Sequence, residues 1–428
     1  MSVYDYQLLL KHLLHQGVSW APDQEIVYRD LNRYTYRDLY QRVLMLAGVL
    51  KALNIKPGTR IGVLEWDTHR YLEMYFAIPG AGAVLHCINP GLAPEDILYT
   101  ICHAEDEILI FHEDFIPLVE RLRNSMPTVR RYVLIKDNPD TLIPPWVDVD
   151  YETFLNSADA LSELPDLDEN TLATQSYTTG TTGKPKGVFF TQRQITLQTL
   201  SDSIALSALG SYGGIHKNDV YMPLTPMFHG HAWGMPYVAT LWGIKQVFPG
   251  RYDYTRVLNL IKHENITFSH CVPAILKMII ENPLAKEIDL QRWKVIVGGS
   301  TLPENVAREA LAYGIKVFGG YGLSETCPVL TIANLKPFME SWEEEKQLTW
   351  LTRPGFTLPL VYLKVVDNAG KEVAGDGRET GEVVVRTPWC TPAYYKESVL
   401  SEELWRDGWL HTGDVATVDA YGYIKIVD

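Results

Sequence analysis

The sequence predicts an α/β fold in which two subdomains with central β-sheets precede a small, distorted, barrel-like β-rich subdomain. The chain has 428 residues, which is too long for one ordinary core. Short β-rich runs alternate with helix-like segments along most of it, and beyond Thr352 strands separated by Gly, Asp and Asn turns replace this alternation. We therefore expect subdomains at 1–170, 171–351 and 352–428.

The first subdomain has strand candidates at residues 60–64, 108–111 and 132–135. Helix-like segments separate these candidates, which is typical of a parallel sheet covered by helices. Residues 160–170 are rich in Asp, Glu and Leu and contain Pro165. This stretch predicts a surface connection to the second subdomain.

Strand candidates in the rest of the chain define the other two subdomains. The second subdomain has them at residues 220–224, 266–268, 294–299 and 316–320, each running into a loop. In open α/β sheets, ligands bind where strands end in loops, so chemically active residues should converge there. The β-rich subdomain is predicted by further candidates at 363–366, 381–385 and 423–427.

The composition argues against several classes of partner. With 38 basic and 52 acidic residues the net charge is −14, which disfavours nucleic acid and anionic lipid surfaces. The first residues lack the features of a signal peptide, and no apolar run reaches about 18 residues. The five cysteines are scattered and form no Cys-x-x-Cys pair. We expect a cytoplasmic protein with reduced thiols, no nucleic-acid partner and no stable membrane insertion.

The most informative segment is the loop at residues 177–188, which reads Tyr-Thr-Thr-Gly-Thr-Thr-Gly-Lys-Pro-Lys-Gly-Val. Its glycines let backbone N–H groups turn inward around an anion, its threonines add hydroxyl donors, and Lys184 and Lys186 add positive charge. This combination suits a polyphosphate. The spacing differs from a Walker P-loop, and Pro185 favours a loop flanked by strands. A plain Gly/Thr hairpin is the alternative.

Five further segments, together with this loop, resemble in order the motifs of the adenylate-forming superfamily of acyl-CoA synthetases, luciferases and adenylation domains. They lie at residues 226–229, 298–300, 320–326, 381–382 and 408–414. Residues 226–234, Pro-Met-Phe-His-Gly-His-Ala-Trp-Gly, are most similar to medium- and long-chain fatty-acyl-CoA synthetases, because a tryptophan follows the Phe-His pair. The resemblance implies the fold of the large N-terminal domain of such an enzyme.

The resemblance also implies where a nucleotide binds. Tyr321 would stack on adenine, and Asp414 would accept hydrogen bonds from both ribose hydroxyls. A half-buried tyrosine at a strand end and a turn-capping aspartate are the ordinary alternatives. The residues implied in binding ATP or acyl-adenylate are Thr178, Thr179, Gly180, Thr181, Thr182, Gly183, Lys186, Gly299, Ser300, Gly320, Tyr321, Gly322, Leu323, Ser324, Glu325 and Asp414.

Catalysis by such an enzyme depends on positioning and on neutralising phosphate charge. Glu325 supplies a hard oxygen for Mg²⁺, and the resemblance implies that Thr178 helps to hold the same ion. A Ser-Glu pair such as Ser324-Glu325 is otherwise an ordinary helix start. The residues expected to carry the chemistry are Thr178, Lys186, His229 and Glu325.

The acid and thiol entrance is expected at the second motif. By resemblance, Phe228, His229 and Gly230 border this entrance and Trp233 closes a fatty-acid tunnel, although a buried tryptophan is more often part of a core. His229 and His231 could both face one side of a strand, but no third metal ligand is nearby in the sequence, which disfavours zinc.

Two positions depart from the family pattern. Thr179 stands where serine is common and keeps the hydroxyl group, whereas Gln192 stands where histidine is common and removes a titratable ring. A role for Gln192 therefore rests on hydrogen bonding alone.

The implied reaction is the AMP-forming ligation of a fatty acid to CoA. A carboxylate attacks the α-phosphorus of MgATP, and the CoA thiol then displaces AMP from the acyl-adenylate. Asp428 resembles a hinge that precedes a smaller domain, so we expect this chain to bind ATP or acyl-AMP with weak activity. The resemblance also suggests a homodimer, and the length of the acid is not indicated.

Three competing functions are distinguished by the substrate pocket. An amino-acid adenylation domain would carry an aspartate near the Phe-His pair to bind the ammonium group, and residues 227–234 contain none. An aryl-acid ligase would have a flat, closed pocket. A nucleotide-binding sensor without turnover would gain no affinity from an acyl tail.

Overall fold

The computed structural model describes residues 5–178, 183–209 and 213–427 and contains three β-sheets. In chain order the strands are β1 (Glu25–Tyr28), β2 (Asn32–Thr35), β3 (Arg60–Leu64), β4 (Val84–Cys87), β5 (Ile108–His112), β6 (Arg131–Ile135), β7 (Val149–Asp150), β8 (Leu172–Thr178), β9 (Lys186–Thr191), β10 (Val220–Pro223), β11 (Lys245–Phe248), β12 (Phe268–Cys271), β13 (Lys294–Val297), β14 (Lys316–Gly322), β15 (Val329–Ile332), β16 (Phe356–Thr357), β17 (Tyr362–Val366), β18 (Thr380–Arg386), β19 (Trp405–Arg406), β20 (Trp409–Val418) and β21 (Ile424–Ile426).

Helices cover the two larger sheets. They are α1 (Leu10–Trp20), α2 (Tyr36–Ala52), α3 (His69–Gly80), α4 (Pro94–Ala104), α5 (Ile116–Leu122), α6 (Tyr151–Leu155), α7 (Gln192–Ala208), α8 (Met235–Leu241), α9 (Tyr254–Glu264), α10 (Pro273–Ile280), α11 (Glu304–Ala312), α12 (Glu344–Leu351) and α13 (Ser398–Leu404). Thr35 and Thr191 start α2 and α7 as capping boxes. Within the described residues, no helix combines the length and the apolar character needed to cross a bilayer.

Both large sheets are mainly parallel. One has the strand order β7-β6-β5-β3-β4-β8-β9, in which only the β8–β9 pair is antiparallel. The other has the order β16-β15-β14-β13-β12-β10-β11-β1-β2, with antiparallel pairs only at its two ends. The third sheet is antiparallel and has the order β17-β18-β20-β19, with β21 also paired to β20. The α/β class with a β-rich final unit is thus confirmed.

The boundary expected at residue 170 does not separate the two large sheets. β1 and β2 precede that residue but extend the nine-stranded sheet, because β1 pairs in parallel with β11. β8 and β9 follow residue 170 but complete the seven-stranded sheet, because β8 pairs with β4. The two α/β units therefore exchange strands across the boundary, and residues 161–168 between them contain no helix or strand.

Most strand candidates lie where the sequence predicts them, and one is displaced. The candidate at 266–268 gives way to β12, which begins only at Phe268. Ile266 donates its backbone N–H to Ile261 at 3.1 Å, and the Thr267 hydroxyl donates to Asp219 at 2.6 Å. These hydrogen bonds hold Ile266 and Thr267 in the turn after α9, so the strand begins two residues later than the sequence predicts.

The largest core lies between the two large sheets. Helix α3 is its centre, since eleven of its twelve residues, all except Arg70, are buried. A helix that is buried on every side is expected to be apolar nearly all round, and α3 departs from this at His69 and at Glu73, whose carboxylate pairs with Arg42 at 2.7 Å. All five cysteines fall within the described residues and are free.

Candidate active site

A cavity of about 940 Å³ is lined by residues from all three sheets. It collects the predicted residues Thr178, Lys186, His229, Gly230, Trp233, Gly299, Ser300, Gly320, Tyr321, Gly322, Leu323, Ser324, Glu325 and Asp414. The motifs that are far apart in the sequence therefore share one hollow.

Some predicted residues are not seen at this cavity. Phe228 does not line it and is instead partly buried against the large core. Gly183 is exposed and has a φ of +93°. The predicted positions Thr179, Gly180, Thr181 and Thr182 lie outside the described residues.

The phosphate-loop motif is framed by a β-hairpin. β8 and β9 pair in antiparallel register, with Thr178 opposite Lys186, so both residues stand at the mouth of the loop. This arrangement confirms the loop flanked by strands that Pro185 predicts. Lys184 lies over the Tyr99 ring, 4.7 Å from its centroid, outside the set of residues that line the cavity.

Tyr321 and Asp414 are joined directly. The Tyr321 hydroxyl donates a hydrogen bond to Asp414 Oδ2 at 2.6 Å. Burial raises the pKa of Asp414, and the hydrogen bond from Tyr321 opposes that shift. Burial and the neighbouring carboxylate of Asp414 raise the pKa of Tyr321, so its hydroxyl stays a donor at neutral pH. The proposed stacking ring and the proposed ribose ligand thus form one unit.

Glu382 holds the turn that carries Asp414. Its Oε1 accepts the backbone N–H of Gly413 at 3.1 Å, and its Oε2 lies 2.8 Å from Nδ1 of His411. Neither Gly381 nor Glu382 lines the cavity. The Gly381-Glu382 motif therefore acts through the turn rather than by direct contact.

The end of β14 approaches β13 closely at a glycine. A Cβ on Gly298 would lie 2.8 Å from the backbone oxygen of Gly320 and 3.2 Å from Cη2 of Trp233. Any side chain at residue 298 would therefore collide with the opposite wall, and the cavity depends on its absence.

The carboxylate of Glu325 is held from one side. Tyr394 donates its hydroxyl to Glu325 Oε1 at 2.7 Å, whereas no described residue donates to Oε2. The chain offers no group of three or more His, Cys, Asp or Glu side chains for a metal among its described residues. Mg²⁺ keeps several waters and uses few protein ligands. A suitable set of donors for this ion would therefore consist of the free oxygen of Glu325, the side chain of Thr178 and the phosphates of a nucleotide.

The segment after His229 adopts a left-handed turn. Gly230, His231, Ala232, Trp233 and Gly234 have φ values of +53°, +53°, +49°, +57° and +76°. A left-handed conformation costs roughly 1–2 kcal/mol for each residue that has a Cβ. Three such residues are held here, so the packing around them must offset this cost.

Trp233 forms the apolar wall of the cavity. Its ring centroid lies 5.1 Å from that of His270, and its side chain is buried. Met235, Pro328 and Val329 line the same cavity. Trp233 lies beside Gly298, where β14 approaches at Gly320, and its expected part as a gate stays a prediction.

The two histidines of the His-x-His pair have different surroundings. His229 faces the cavity, and desolvation by the protein around it lowers its pKa, so the ring is neutral at pH 7. His231 is buried away from the cavity, its pKa is lowered to about 4 by burial, and neither ring nitrogen has a partner among the described residues. The pair does not form a metal site.

Two buried side chains fix the backbone before His229. Asp67 Oδ1 accepts the N–H of Met227 at 2.7 Å, and its other oxygen accepts the hydroxyl of Tyr252 at 2.6 Å. Tyr75 donates its hydroxyl to the carbonyl of Met227. Burial raises the pKa of Asp67 to about 7. The acid-entrance motif is therefore anchored on α3 and the residues just before it.

Gln192 is a structural residue. Its Oε1 accepts the N–H of Leu10 at 3.0 Å, and its Nε2 donates to the carbonyl of Pro79 at 2.8 Å. It is buried and does not line the cavity. The hydrogen-bonding role expected for this position joins α7 to α1 and α3.

Sequence reasoning missed several residues of the cavity wall. Arg353, Lys425 and Val427 line it, and Arg353 also stacks on Trp350, 4.0 Å from the ring centroid, and pairs with Asp419. None of these three residues belongs to a motif with its own chemistry, and only the pairing of β20 with β21 and the course of the chain after α12 bring them here. Tyr394 was missed as well; it does not line the cavity but donates its hydroxyl to Glu325.

The chain matches the model of the AMP-binding enzyme family over residues 14–395. It is 37% identical to a long-chain-fatty-acid–CoA ligase of Thermus thermophilus, over 100% of this chain and 78% of that protein. It is 34% identical to a 3-methylmercaptopropionyl-CoA ligase of Ruegeria lacuscaerulensis, over 98% and 78%. A medium-chain-fatty-acid–CoA ligase of Ectopseudomonas oleovorans is 31% identical, over 99% and 78%.

Solved structures share the fold. The N-terminal domain of FACL13 from Mycobacterium tuberculosis superposes with a TM-score of 0.83 at 24% identity, covering 99% of this chain and all of that one. The anthranilate CoA ligase AuaEII, solved with anthranoyl-AMP, gives a TM-score of 0.86 at 20% identity, over 100% of this chain and 79% of that one. At this level of identity the likeness shows the architecture alone.

Proposed function

Because the chain belongs to the AMP-binding enzyme family and its relatives are AMP-forming acyl-CoA ligases, we propose that it activates medium- or long-chain fatty acids. In this proposal a fatty carboxylate attacks the α-phosphorus of ATP to give acyl-AMP and pyrophosphate. The CoA thiol then takes the acyl group and releases AMP. The single observation that carries the proposal is one cavity lined both by polar residues such as Lys186 and Glu325, called here its polar end, and by apolar side chains such as Trp233, called here its apolar end.

The polar end supplies what adenylation requires of the protein. A carboxylate is already ionised at neutral pH, so no general base is needed and charge neutralisation dominates. Lys186 would face the phosphates, Tyr321 the adenine and Asp414 the ribose hydroxyls. Glu325 and Thr178 would hold Mg²⁺, which neutralises phosphate charge when bound. His229, as a neutral ring, would donate or accept a hydrogen bond at the reacting carboxylate.

The apolar end supports an aliphatic acid. Trp233, Met235, Pro328 and Val329 line it, and no acidic side chain lies among residues 227–235. An amino-acid substrate would leave its ammonium group without a counter-ion there. The long-chain and medium-chain fatty-acid ligases among the relatives favour the same class of acid.

An aryl acid is the second candidate. The fold neighbour AuaEII is an anthranilate CoA ligase, and the buried Trp233 side chain lines the cavity. A short pocket would accept a flat ring without any movement of Trp233. The two candidates differ in one property, because only an aliphatic substrate gains affinity with each added CH₂, by about 0.8 kcal/mol.

A screen of acids tests the proposal. The chain would be incubated with MgATP, CoA and single acids from butyrate to palmitate, with benzoate and an amino acid alongside, and acyl-AMP and acyl-CoA would be measured by mass spectrometry. We expect product to increase from butyrate to medium- or long-chain acids. A maximum with benzoate would favour the aryl candidate, and ATP binding without any acid-dependent product would favour a sensor.

We also propose that the enzyme works in the cytoplasm, which the five free cysteines support. We further propose that the chain forms a homodimer. Light scattering on the purified chain at several concentrations tests the dimer, and a single mass equal to that of the monomer would exclude it.

A further inference from the structure

We propose that Tyr394 is a positioning residue that sets Lys186 and Glu325 at the correct separation for a magnesium-bound triphosphate. The inference rests on the proposed function, which places both residues at the phosphates of ATP. Tyr394 lies between β18 and α13, outside the six segments that carry the resemblance.

The side chain of Tyr394 contacts both residues at once. Its hydroxyl donates to Glu325 Oε1 at 2.7 Å. The Lys186 ammonium lies over its ring, 5.0 Å from the centroid, which is within the range of a cation–π contact. Burial and the nearby Glu325 raise the pKa of Tyr394, so the hydroxyl keeps its proton and remains a donor at neutral pH.

The backbone around Tyr394 is hydrogen-bonded to the two segments that carry Lys186 and Glu325. The N–H of Thr391 donates to the carbonyl of Glu325 at 2.7 Å, and the N–H of Tyr395 donates to the carbonyl of Gly187 at 2.8 Å. The Thr391 hydroxyl also donates to the carbonyl of Phe189 at 3.3 Å. Residues 391–395 therefore form a bridge between β9 and the turn that follows β14.

This bridge is needed because Lys186 and Glu325 come from different sheets. Lys186 begins β9 of the seven-stranded sheet, whereas Glu325 follows β14 of the nine-stranded sheet. No hydrogen bond or ion pair between these two side chains is formed within the described residues. The third subdomain thus supplies the part that fixes their distance.

The hydrogen bond from Tyr394 also orients the Glu325 carboxylate. With Oε1 engaged, Oε2 is the oxygen left for a cation. Without the hydroxyl, the carboxylate can rotate, and its best-oriented position for the ion is populated less often. The ring, in contrast, acts on Lys186 through its face and does not need the hydroxyl.

Two substitutions separate the two contacts. Tyr394→Phe removes the hydroxyl and keeps the ring, and Tyr394→Leu removes both. ATP binding to each variant is measured by calorimetry, once with Mg²⁺ titrated in and once in EDTA. Because a hydrogen bond to a charged group is lost, we expect Tyr394→Phe to weaken MgATP binding about tenfold, while ATP binding in EDTA changes less than about twofold. Tyr394→Leu is expected to weaken binding in both conditions.

Tyr395→Phe is the matched control. Tyr395 is the next residue, and its ring contacts Arg60 and His103, whereas that of Tyr394 contacts Lys186 and its hydroxyl contacts Glu325. This variant should bind ATP as the unaltered chain does, with and without Mg²⁺. Thermal unfolding of all variants identifies a general loss of structure, which would lower binding equally in both conditions.

Equal affinities of Tyr394→Phe and the unaltered chain for MgATP would overturn the inference. An equal loss with Mg²⁺ and in EDTA would overturn it too, because the effect would then not act through the magnesium carboxylate. If the unaltered chain binds no ATP, the proposed function fails and the inference fails with it. The first two results leave the proposed function intact.

Discussion

The two ends of the cavity are built in different ways. At the polar end, side chains from different strands and loops hold one another, as in the pairs Tyr321–Asp414 and Tyr394–Glu325. At the apolar end, the wall is one left-handed turn, and its shape depends on glycines and on the position of Trp233. The polar end is therefore set by specific hydrogen bonds, whereas the apolar end is set by backbone conformation and packing.

In the proposed function this difference would separate chemistry from specificity. A change at the polar end would remove a hydrogen bond to the nucleotide, whatever the acid. A change at the apolar end would alter the space for the acid and leave the nucleotide contacts in place. Substitutions at the two ends should consequently affect different measurements.

The largest effect is expected from Asp414→Ala. Two hydrogen bonds from a ribose to a carboxylate are lost, and at about 1.5 kcal/mol or more each they correspond to roughly a hundredfold weaker ATP binding. Titration calorimetry measures the affinity of each variant for ATP. Tyr321→Phe, which keeps the ring, should cost much less. Similar losses in the two variants would contradict a direct contact between Asp414 and the ribose.

The left-handed turn can be tested by a pair of alanine-to-glycine substitutions. Ala232 has a φ of +49°, whereas Ala239 lies in the right-handed helix α8, and both are buried. Glycine relieves strain at residue 232 but weakens a helix at residue 239. Ala239→Gly should therefore lower the free energy of unfolding by about 2 kcal/mol more than Ala232→Gly, measured by urea denaturation. Equal losses of unfolding free energy in the two variants would contradict the left-handed conformation of Ala232.

Stability should depend on pH through Asp67, which anchors the apolar end. Its folded-state pKa is raised to about 7 by burial, whereas an unfolded aspartate titrates near 3.9. Between these values the folded chain binds more protons than the unfolded chain, so the free energy of unfolding falls as pH rises, by up to about 1.4 kcal/mol per pH unit, and is level above pH 7.

Asp67→Asn should flatten this dependence between pH 5 and 7. Urea denaturation at several pH values measures it. Asp166→Asn is the control, since Asp166 is exposed and pairs with Lys11 at the surface. An identical pH profile of Asp67→Asn and the unaltered chain would show that Asp67 is ionised throughout this range.

The smallest effect is expected at Trp233. Trp233→Ala removes the ring and should enlarge the cavity. Each added CH₂ of the acyl tail should strengthen binding by about 0.8 kcal/mol, or about fourfold, and in this variant the increase in affinity should continue to longer tails than in the unaltered chain. The affinities of acyl-AMP analogues of increasing tail length measure it. Trp242→Ala is the matched control, because Trp242 stacks on Trp20 away from this cavity. The same limiting length in both variants would contradict a gate.

The sequence predicts the polar end better than the apolar end. Tyr321, Glu325, Lys186 and Asp414 lie in motifs whose residue types reveal their chemistry, and they do meet in one cavity. The left-handed turn could not be predicted, because Ala232 and Trp233 are not residues that favour a positive φ, and a single histidine at residue 231 does not indicate a run of three. Their conformation follows from packing between α7, α3 and the sheets.

Long-range strand pairing explains the other differences. β1 joins β11, about two hundred residues later, and no local pattern contains that information. Arg353 reaches the cavity, and Tyr394 reaches Glu325, through the same kind of non-local contact. Phe228 stands next to His229 in the sequence, but it lies inside a turn closed by the hydrogen bond from His229 N–H to the carbonyl of Pro226 at 2.9 Å, and its side chain packs against the core.

The most direct test of the central claim is a competition experiment with an acyl-AMP analogue. If one cavity holds nucleotide and acid together, a decanoyl-AMP analogue should displace ATP and bind more tightly than AMP, and Asp414→Ala should weaken both ligands by the same factor. Simultaneous binding of ATP and the analogue, or equal affinities for AMP and the analogue, would contradict a single shared cavity.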